Sequence, residues 1–283
     1  MDYEPRVLLP VLRDPNDRPG LWKVFKSSVG KDITKFSVPI YINEPISMVQ
    51  KVTEIMENEE LLVRANRETN SKIRLMLIAS MGAAQYCCMK TRITKPFNPI
   101  LGETYEYCCS KFKYIGEQVS HHPPVTAAYA VSEDYEFYMQ THTKIGLSWG
   151  YMKAVPNGLQ HVKLKRTGEH FTISRPNTHV KNLIFGQLSI EQVGESVVTN
   201  LTTGEVCIIE FKETGWGGKN KHYLEGYTYD SLKLAKAKKK VPSWQMSGTW
   251  SAQIQCQPMK PDGKKVDDSV EPNLLWQAVP DLD

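Results

Sequence analysis

Two adjacent imidazoles in the segment Glu117-Gln-Val-Ser-His-His-Pro-Pro124 are the side chains of this sequence best placed for chemistry. On an extended backbone, neighbouring side chains point to opposite faces, so His121 and His122 can share a target only where the strand ends between them. Pro123 and Pro124 predict that end, because neither can donate a ladder hydrogen bond and each restricts its predecessor. Two ring donors on a stiffened strand end suit a phosphate, and a dianionic phosphate would favour the protonated rings. A metal centre would need further ligands, and no His-x-x-x-His pair or acidic companion stands nearby. Nucleophilic catalysis would have to use Ser120, which lacks the Gly-x-Ser-x-Gly elbow. Two ordinary surface histidines are the plain alternative.

A second group of the same character lies upstream, in Lys95-Pro-Phe-Asn-Pro-Ile-Leu-Gly-Glu103. Lys95 offers a point charge and Asn98 an amide, both of use to a phosphate or an inositol hydroxyl. Pro96 and Pro99 fix the backbone and Gly102 permits a tight turn, which also describes a purely structural corner.

The elements that must position these residues fall into two zones. Before residue 95 the periodicity is helical. Leu21, Trp22, Phe25 and Val29 share one face of a short helix ending at Gly30, after a Pro-rich lead-in. That helix is either packed on the core or a hinged cover over a cavity. Residues 46–62 carry Ile46, Val49, Val52, Ile55, Met56 and Leu62 at helical spacing, and an apolar run from Ile73 to Ala84 reads as a core helix. The run includes Arg74 and is too short to span a bilayer, which takes about 18 apolar residues.

After residue 95 the pattern turns to β. Segments 125–131, 135–141, 162–165, 171–174, 180–185, 196–201, 205–211, 223–229 and 244–255 are β-rich and separated by turn signals such as Pro156-Asn-Gly158 and Thr202-Thr-Gly204. The expectation is a mainly β fold with N-terminal α: an antiparallel meander whose closure into a barrel would remove its exposed edges. A barrel of more than about eight strands is too wide for its own side chains to fill. The division expected is one domain over 1–283: lead-in 1–32, helical segment 43–92, barrel 95–256 and C-terminal extension 257–283.

Composition narrows the function classes. Of 283 residues, 41% are hydrophobic and 23% charged, as in an ordinary globular chain. A net charge of +4 does not point to nucleic acid but is compatible with loose attraction to an anionic membrane. The basic run 233–240 reads as a solvated loop or, through Lys236, Lys238, Lys239 and Lys240, as a membrane contact. Cys87, Cys88, Cys108, Cys109, Cys207 and Cys256 form no Cys-x-x-Cys pair and read as reduced, mostly buried residues of a cytosolic protein. The N-terminus has no signal-peptide pattern. No metal and no cofactor are implied.

The 117–124 segment resembles, in full, the fingerprint of the oxysterol-binding-protein-related family. The 95–103 segment resembles the family's upstream motif, and the similarity continues through Leu21-Trp22, Asn43-Glu-Pro45, Cys207-Ile-Ile-Glu-Phe211 and Ser247-Gly-Thr-Trp250. The resemblance implies one lipid-binding domain, a large, incomplete antiparallel β-barrel enclosing a lipid tunnel with N-terminal helices, whose residues 1–32 are lead-in and lid. It implies an intracellular, non-enzymatic carrier. It would extract a sterol or a phosphoinositide, phosphatidylinositol 4-phosphate above all, into a lidded barrel and carry or exchange it. His121 and His122 would hold the phosphate with help from Lys95 and Asn98, and Leu21, Trp22, Phe25 and Val29 would belong to the lid. A monomer, cytoplasmic and transiently membrane-associated, is expected. A lipid-dependent sensor or scaffold with little net transfer, and a His-dependent lipid-modifying enzyme, are the alternatives. In the family a C-terminal helical region adds a Lys, a Glu and an Arg to the headgroup site. No counterpart precedes Asp283, and no pleckstrin-homology module is found. A core-only member or a weakened phosphoinositide site are the two readings of that difference.

Overall fold

The computed structural model describes residues 40, 43–90, 92, 94–184 and 188–279. The expected lid residues Leu21, Trp22, Phe25 and Val29 lie outside the described residues. Strand β1 (Asn43–Ser47) pairs in parallel with β2 (Lys95–Phe97). A short helix (Met48–Lys51), a 3-10 stretch (Val52–Asn58) and a helix (Glu60–Arg67) follow β1. A longer helix, Ser71–Ala84, then leads toward the strands.

That helix is apolar on every side, with all residues from Arg74 to Ala84 buried, so it needs cover all round. The cover is a fourteen-stranded antiparallel sheet. Its strands are β3 (Thr104–Cys108), β4 (Lys113–His121), β5 (Pro124–Val131), β6 (Tyr135–Ser148), β7 (Tyr151–Asn157), β8 (Gln160–Leu164) and β9 (His170–Ile173). They continue as β10 (Asn177–Lys181), β11 (Ser189–Asn200), β12 (Val206–Phe211), β13 (Tyr223–Tyr229), β14 (Trp244–Thr249), β15 (Gln253–Pro258) and β16 (Asn273–Gln277). The spatial order is β16-β15-β14-β13-β12-β11-β10-β7-β6-β5-β4-β3, with β8 and β9 bridging β6 and β11. The barrel is incomplete: β3 and β16 are the two ends of this order and do not pair.

The helix Ser71–Ala84 packs on β9, β11, β12, β15 and β16 and occupies part of the interior. Its N-cap is Asn70, whose side chain accepts from the amides of Lys72 and Ile73. One apolar cluster runs from Val52 through Leu75, Ile78, Phe137, Phe171 and Phe211 to Leu275. Burial along β4 shows why: Tyr114, Gly116 and Gln118 are buried while Ile115, Glu117 and Val119 face out. Arg74 belongs to this interior because Nε lies 2.6 Å from Glu169, which also accepts from Asn200 at 2.8 Å. A buried charge is retained only when paired in this way.

Several elements differ from the sequence expectation. Residues 43–47 form a strand where helical spacing was expected from Ile46, because β2 supplies a partner. The 244–255 segment divides into β14 and β15 around a turn at 250–252. The stretch 257–283, expected as an extension, contributes β16. All six cysteines are free, but only Cys207 and Cys256 are buried, with burial pushing both thiols up to about 12. Cys87 and Cys88 are half-buried, while Cys108 and Cys109 are exposed because they close the edge strand β3.

Since successive strands reverse direction, their connections fall on two rims. The register places residues 98–103, the His122-Pro123 turn, Trp149-Gly150, residues 182–184, 212–222 and 250–252 on one. Residues 109–112, 132–134, 165–169, 201–205 and 230–243 lie on the other.

Candidate functional site

Strand β4 ends at His121, and β5 begins at Pro124, its pairing partner. His122 and Pro123 make the two-residue connection, joined by a cis peptide bond. The expectation that the strand ends between the two histidines therefore holds at the backbone. Just before the turn the register slips by one residue at Val119. Such a bulge re-aims the residues that follow it. It is held by Gln118, whose amide donates to the Ser120 carbonyl at 2.9 Å and accepts from the Thr126 hydroxyl at 2.6 Å. The imidazoles converge, with ring centroids 4.6 Å apart at an interplanar angle of 55°. His122 is exposed and His121 half-buried. Nδ1 of His121 is buried and has no hydrogen-bond partner among the described residues. A buried polar atom in that state is uncommon and points to a ligand contact.

Lys95 and Asn98 come together as a pair. The Lys95 ammonium donates to Asn98 Oδ1 at 2.7 Å and to the Pro96 carbonyl at 3.2 Å. Among the described residues it has no carboxylate partner, and burial pushes its pKa below the ordinary value. The loop that follows is fastened to β4. Gly102 donates to the Gln118 carbonyl at 2.9 Å, Gln118 donates back to Glu103 at 2.9 Å, and Gly102 adopts φ +78° as the turn requires. No hydrogen bond or ring contact joins the lysine pair to the histidine pair among the described residues, but both lie on the same rim. Together they present imidazole N–H groups, an ammonium and an amide, a donor set for an anionic oxygen.

Lys236, Lys238, Lys239 and Lys240 follow the helix Leu232–Ala235 and are exposed beside Leu234 and Val241. They stand on the opposite rim from the histidines.

The interior holds polar groups that motif reading did not single out. Gln85, next after the central helix, and Gln160 exchange side-chain hydrogen bonds at 2.8 and 3.3 Å, both buried. Arg175 donates to the Asn157 carbonyl at 2.7 Å, and burial lowers its pKa. The signal for Gln85 was its position, a polar residue ending an otherwise apolar run. Toward the histidine rim from Gln160, the interior is lined by the apolar set Leu147, Val180, Leu183 and Ile190. A separate cavity of about 560 Å³ between residues 50–59 and the β3–β4 hairpin is walled by ions already paired, Arg92 with Glu54 at 2.8 Å and Lys111 with Glu59 at 3.2 Å.

Comparison with known proteins agrees with this architecture. Oxysterol-binding protein homolog 2 of Saccharomyces cerevisiae is 34% identical over 271 residues, 93% of this chain and 21% of that protein. The chain spans between 21% and 53% of the length of the first curated relatives it matches. The solved structure of the Osh1 ORD domain in complex with ergosterol superposes with a TM-score of 0.86 at 27% identity, covering 98% of this chain and 68% of that one. Osh3 ORD in complex with PI(4)P, from Saccharomyces cerevisiae, gives 0.77 at 25% identity, covering 92% and 66%. The family model described as oxysterol-binding protein matches residues 20–283, which takes in the histidine turn, the Lys95 loop and every strand of the sheet. With fold, motif and sequence in agreement across that span, the chain belongs to the oxysterol-binding protein family.

Proposed function

We propose that this chain binds one lipid at a time, a sterol or phosphatidylinositol 4-phosphate, and carries or exchanges it between membranes without altering it. The observation that carries this reading is the donor set on one rim: the buried Nδ1 of His121 and the Lys95 ammonium, which have no hydrogen-bond and no acidic partner respectively among the described residues, with His122 beside His121. Such groups offer a phosphate what solvent cannot reach. The apolar side chains Leu147, Val180 and Ile190 suit acyl chains or a ring system, since burying them removes apolar surface from water. The Gln85–Gln160 amide pair offers a polar contact to a lone hydroxyl. That relatives were solved with ergosterol and with PI(4)P supports both cargo classes. Leu21, Trp22, Phe25 and Val29 would form the lid, and Lys236, Lys238, Lys239 and Lys240 would touch an anionic surface. Residues 1–283 would act as one domain and one monomer, in the cytoplasm and transiently on membranes. No described helix is long and apolar enough to cross a bilayer.

The test compares extraction of phosphatidylinositol 4-phosphate and of a sterol from liposomes by the wild type and by His121→Ala/His122→Ala. A hydrogen bond to a charged group contributes about 1.5–3 kcal/mol. Phosphoinositide extraction should therefore fall tenfold or more while sterol extraction persists. Equal phosphoinositide extraction by the two proteins would sink the headgroup assignment, and recovery of chemically altered lipid would sink the carrier.

A further inference from the structure

Trp216 is 100% exposed and Trp149 75% exposed, and among the described residues they are the two tryptophans that stand in solvent. Each sits in a connection between strands. Trp149 occupies the β6–β7 turn, where Ser148 pairs with Tyr151. Trp216 lies in the β12–β13 connection, followed by Gly217 and Gly218 at φ +67° and +81°. An indole has an apolar body and one N–H donor, which suits the boundary between hydrocarbon and headgroups better than water.

The register puts both on the rim that carries the histidine turn. Val180 pairs with Met152 and Lys181 with Ser189, so β10 ends beside the Trp149 turn and β11 begins there. Gly194 pairs with Phe211, so β12 delivers the Trp216 loop at that end. The loops are tied to the same framework. Lys181 Nζ lies 2.9 Å from Glu191 and 2.6 Å from Glu213, and Glu191 accepts from the Thr214 amide at 3.3 Å. These bonds also pair the acids that flank the two loops. Lys181 takes Glu191 and Glu213, and Lys212 takes Glu210 and Glu225. Lys219 and Lys221, in the Trp216 connection, are exposed and have no carboxylate partner among the described residues. Two indoles at loop tips, one of them beside unpaired ammonium groups, complement an anionic bilayer.

We propose that the Trp149–Trp216 rim is the face that inserts into an anionic membrane, with Lys219 and Lys221 on the headgroups; this rests on the lipid-carrier reading and adds where the bilayer sits. The opposite rim has the denser basic run, but its exposed apolar residues are aliphatic, Leu201, Leu232, Leu234 and Val241 among them, and no exposed tryptophan stands there among the described residues. Docking at the tryptophan rim brings the histidine turn toward the membrane, whereas docking at the other rim turns it away.

The experiment is sedimentation of the full chain with vesicles of phosphatidylcholine, with and without phosphatidylserine and free of phosphoinositide and sterol. Trp216→Ala should weaken binding roughly tenfold, as expected for losing one interfacially buried side chain, and Trp149→Ala/Trp216→Ala further. Lys219→Glu/Lys221→Glu should weaken it roughly fivefold per lysine, only with phosphatidylserine and only at low salt. Brominated phospholipid should quench part of the wild-type emission; Trp216→Ala should lose a share of that part, and Trp149→Ala/Trp216→Ala the remainder. Because the Trp216 side chain is fully exposed, its variant should melt with the wild type, so it decides the matter if Trp149→Ala disturbs the turn. Unchanged sedimentation of Trp216→Ala would overturn the proposal. So would a loss confined to Lys236→Glu/Lys238→Glu/Lys239→Glu/Lys240→Glu. Binding of a water-soluble, short-chain phosphatidylinositol 4-phosphate is read in parallel. If the wild type ignores it yet still sediments through Trp216, the headgroup reading fails and the docking face stands.

Discussion

Lys95 is a half-buried ammonium whose neighbours are an amide oxygen and a carbonyl, and burial lowers its pKa from 10.5. A dianionic phosphate beside it would restore the charged form, so the pKa of Lys95 is higher in the complex than in the free protein. Binding then takes up a proton wherever the free lysine has begun to lose its own, and affinity falls as pH rises through that range. A phosphate monoester is already dianionic above about pH 7, so from neutral pH to 10.5 its own titration drops out, and comparison with a Lys95 variant separates the lysine from the imidazoles. The wild type should bind short-chain phosphatidylinositol 4-phosphate progressively more weakly across that window in a fluorescence titration. Lys95→Gln should bind roughly tenfold more weakly at neutral pH, losing one charged hydrogen bond, and lose the slope. The same slope in both proteins would remove Lys95 from the site. At this scale much was legible. The His121–His122 turn and the Lys95–Asn98 pair are local in sequence, and prolines and a glycine announce their backbone. The bulge at Val119 was not, because Gln118 is held by Thr126 across a strand pair and nothing in the 117–124 segment names that partner.

The central helix shows the same division among elements. Its apolar run announced a buried helix, but no periodicity says what covers it, and the cover comes from β9 to β16, far along the chain. Strand β8 alternates in burial and carries a period of two in Val162-Lys163-Leu164, whereas β4 alternates in burial alone, with Gln118 inside and Ile115 and Val119 outside. Strand β7 is half-buried at every position and β3 largely exposed, so neither offers that signal, and both were missed. The start of the helix is a test of local chemistry inside this cover. Asn70 accepts from the Lys72 amide at 2.9 Å and the Ile73 amide at 3.3 Å. Asn70→Ala should cost about 1 kcal/mol in urea unfolding, and Asn70→Ser should recover most of it. Gly248 tests the β14–β15 hairpin in the same assay. It adopts φ +149°, and a Cβ there would stand 2.1 Å from the Gln253 carbonyl oxygen. Gly248→Ala should therefore destabilise by about 3 kcal/mol, the upper end for overpacking. Full stability in that variant would mean the hairpin is not as tight as this contact requires.

Taken whole, the molecule is a sheet that does not close on itself, and the N-terminal helices hold its free end. Arg64 donates to the carbonyls of Leu275 at 2.5 Å and Leu274 at 3.2 Å, and Trp276 Nε1 donates to Asn58 at 2.8 Å. Each bond joins residues more than 200 positions apart, and the central helix packs on β16 between them. An edge strand left to itself exposes unpaired backbone groups, so the helices serve here as the missing partner. Such a clamp joins the two ends of the described chain, and no local pattern reveals it. Arg64→Ala removes two hydrogen bonds from a charged donor and should cost about 1.5–3 kcal/mol, a fall in melting temperature of roughly 2–4 °C per kcal/mol. The loss should also be local. Hydrogen exchange should quicken in β15 and β16, which depend on the clamp, while β4 to β6, on the far side of the sheet, keep their protection. Trp276→Phe should give a smaller version of the same pattern, since the ring is kept and only the Asn58 bond is lost. Faster exchange spread evenly over all strands would show that the free edge is not separately held, and that the barrel opens as one body.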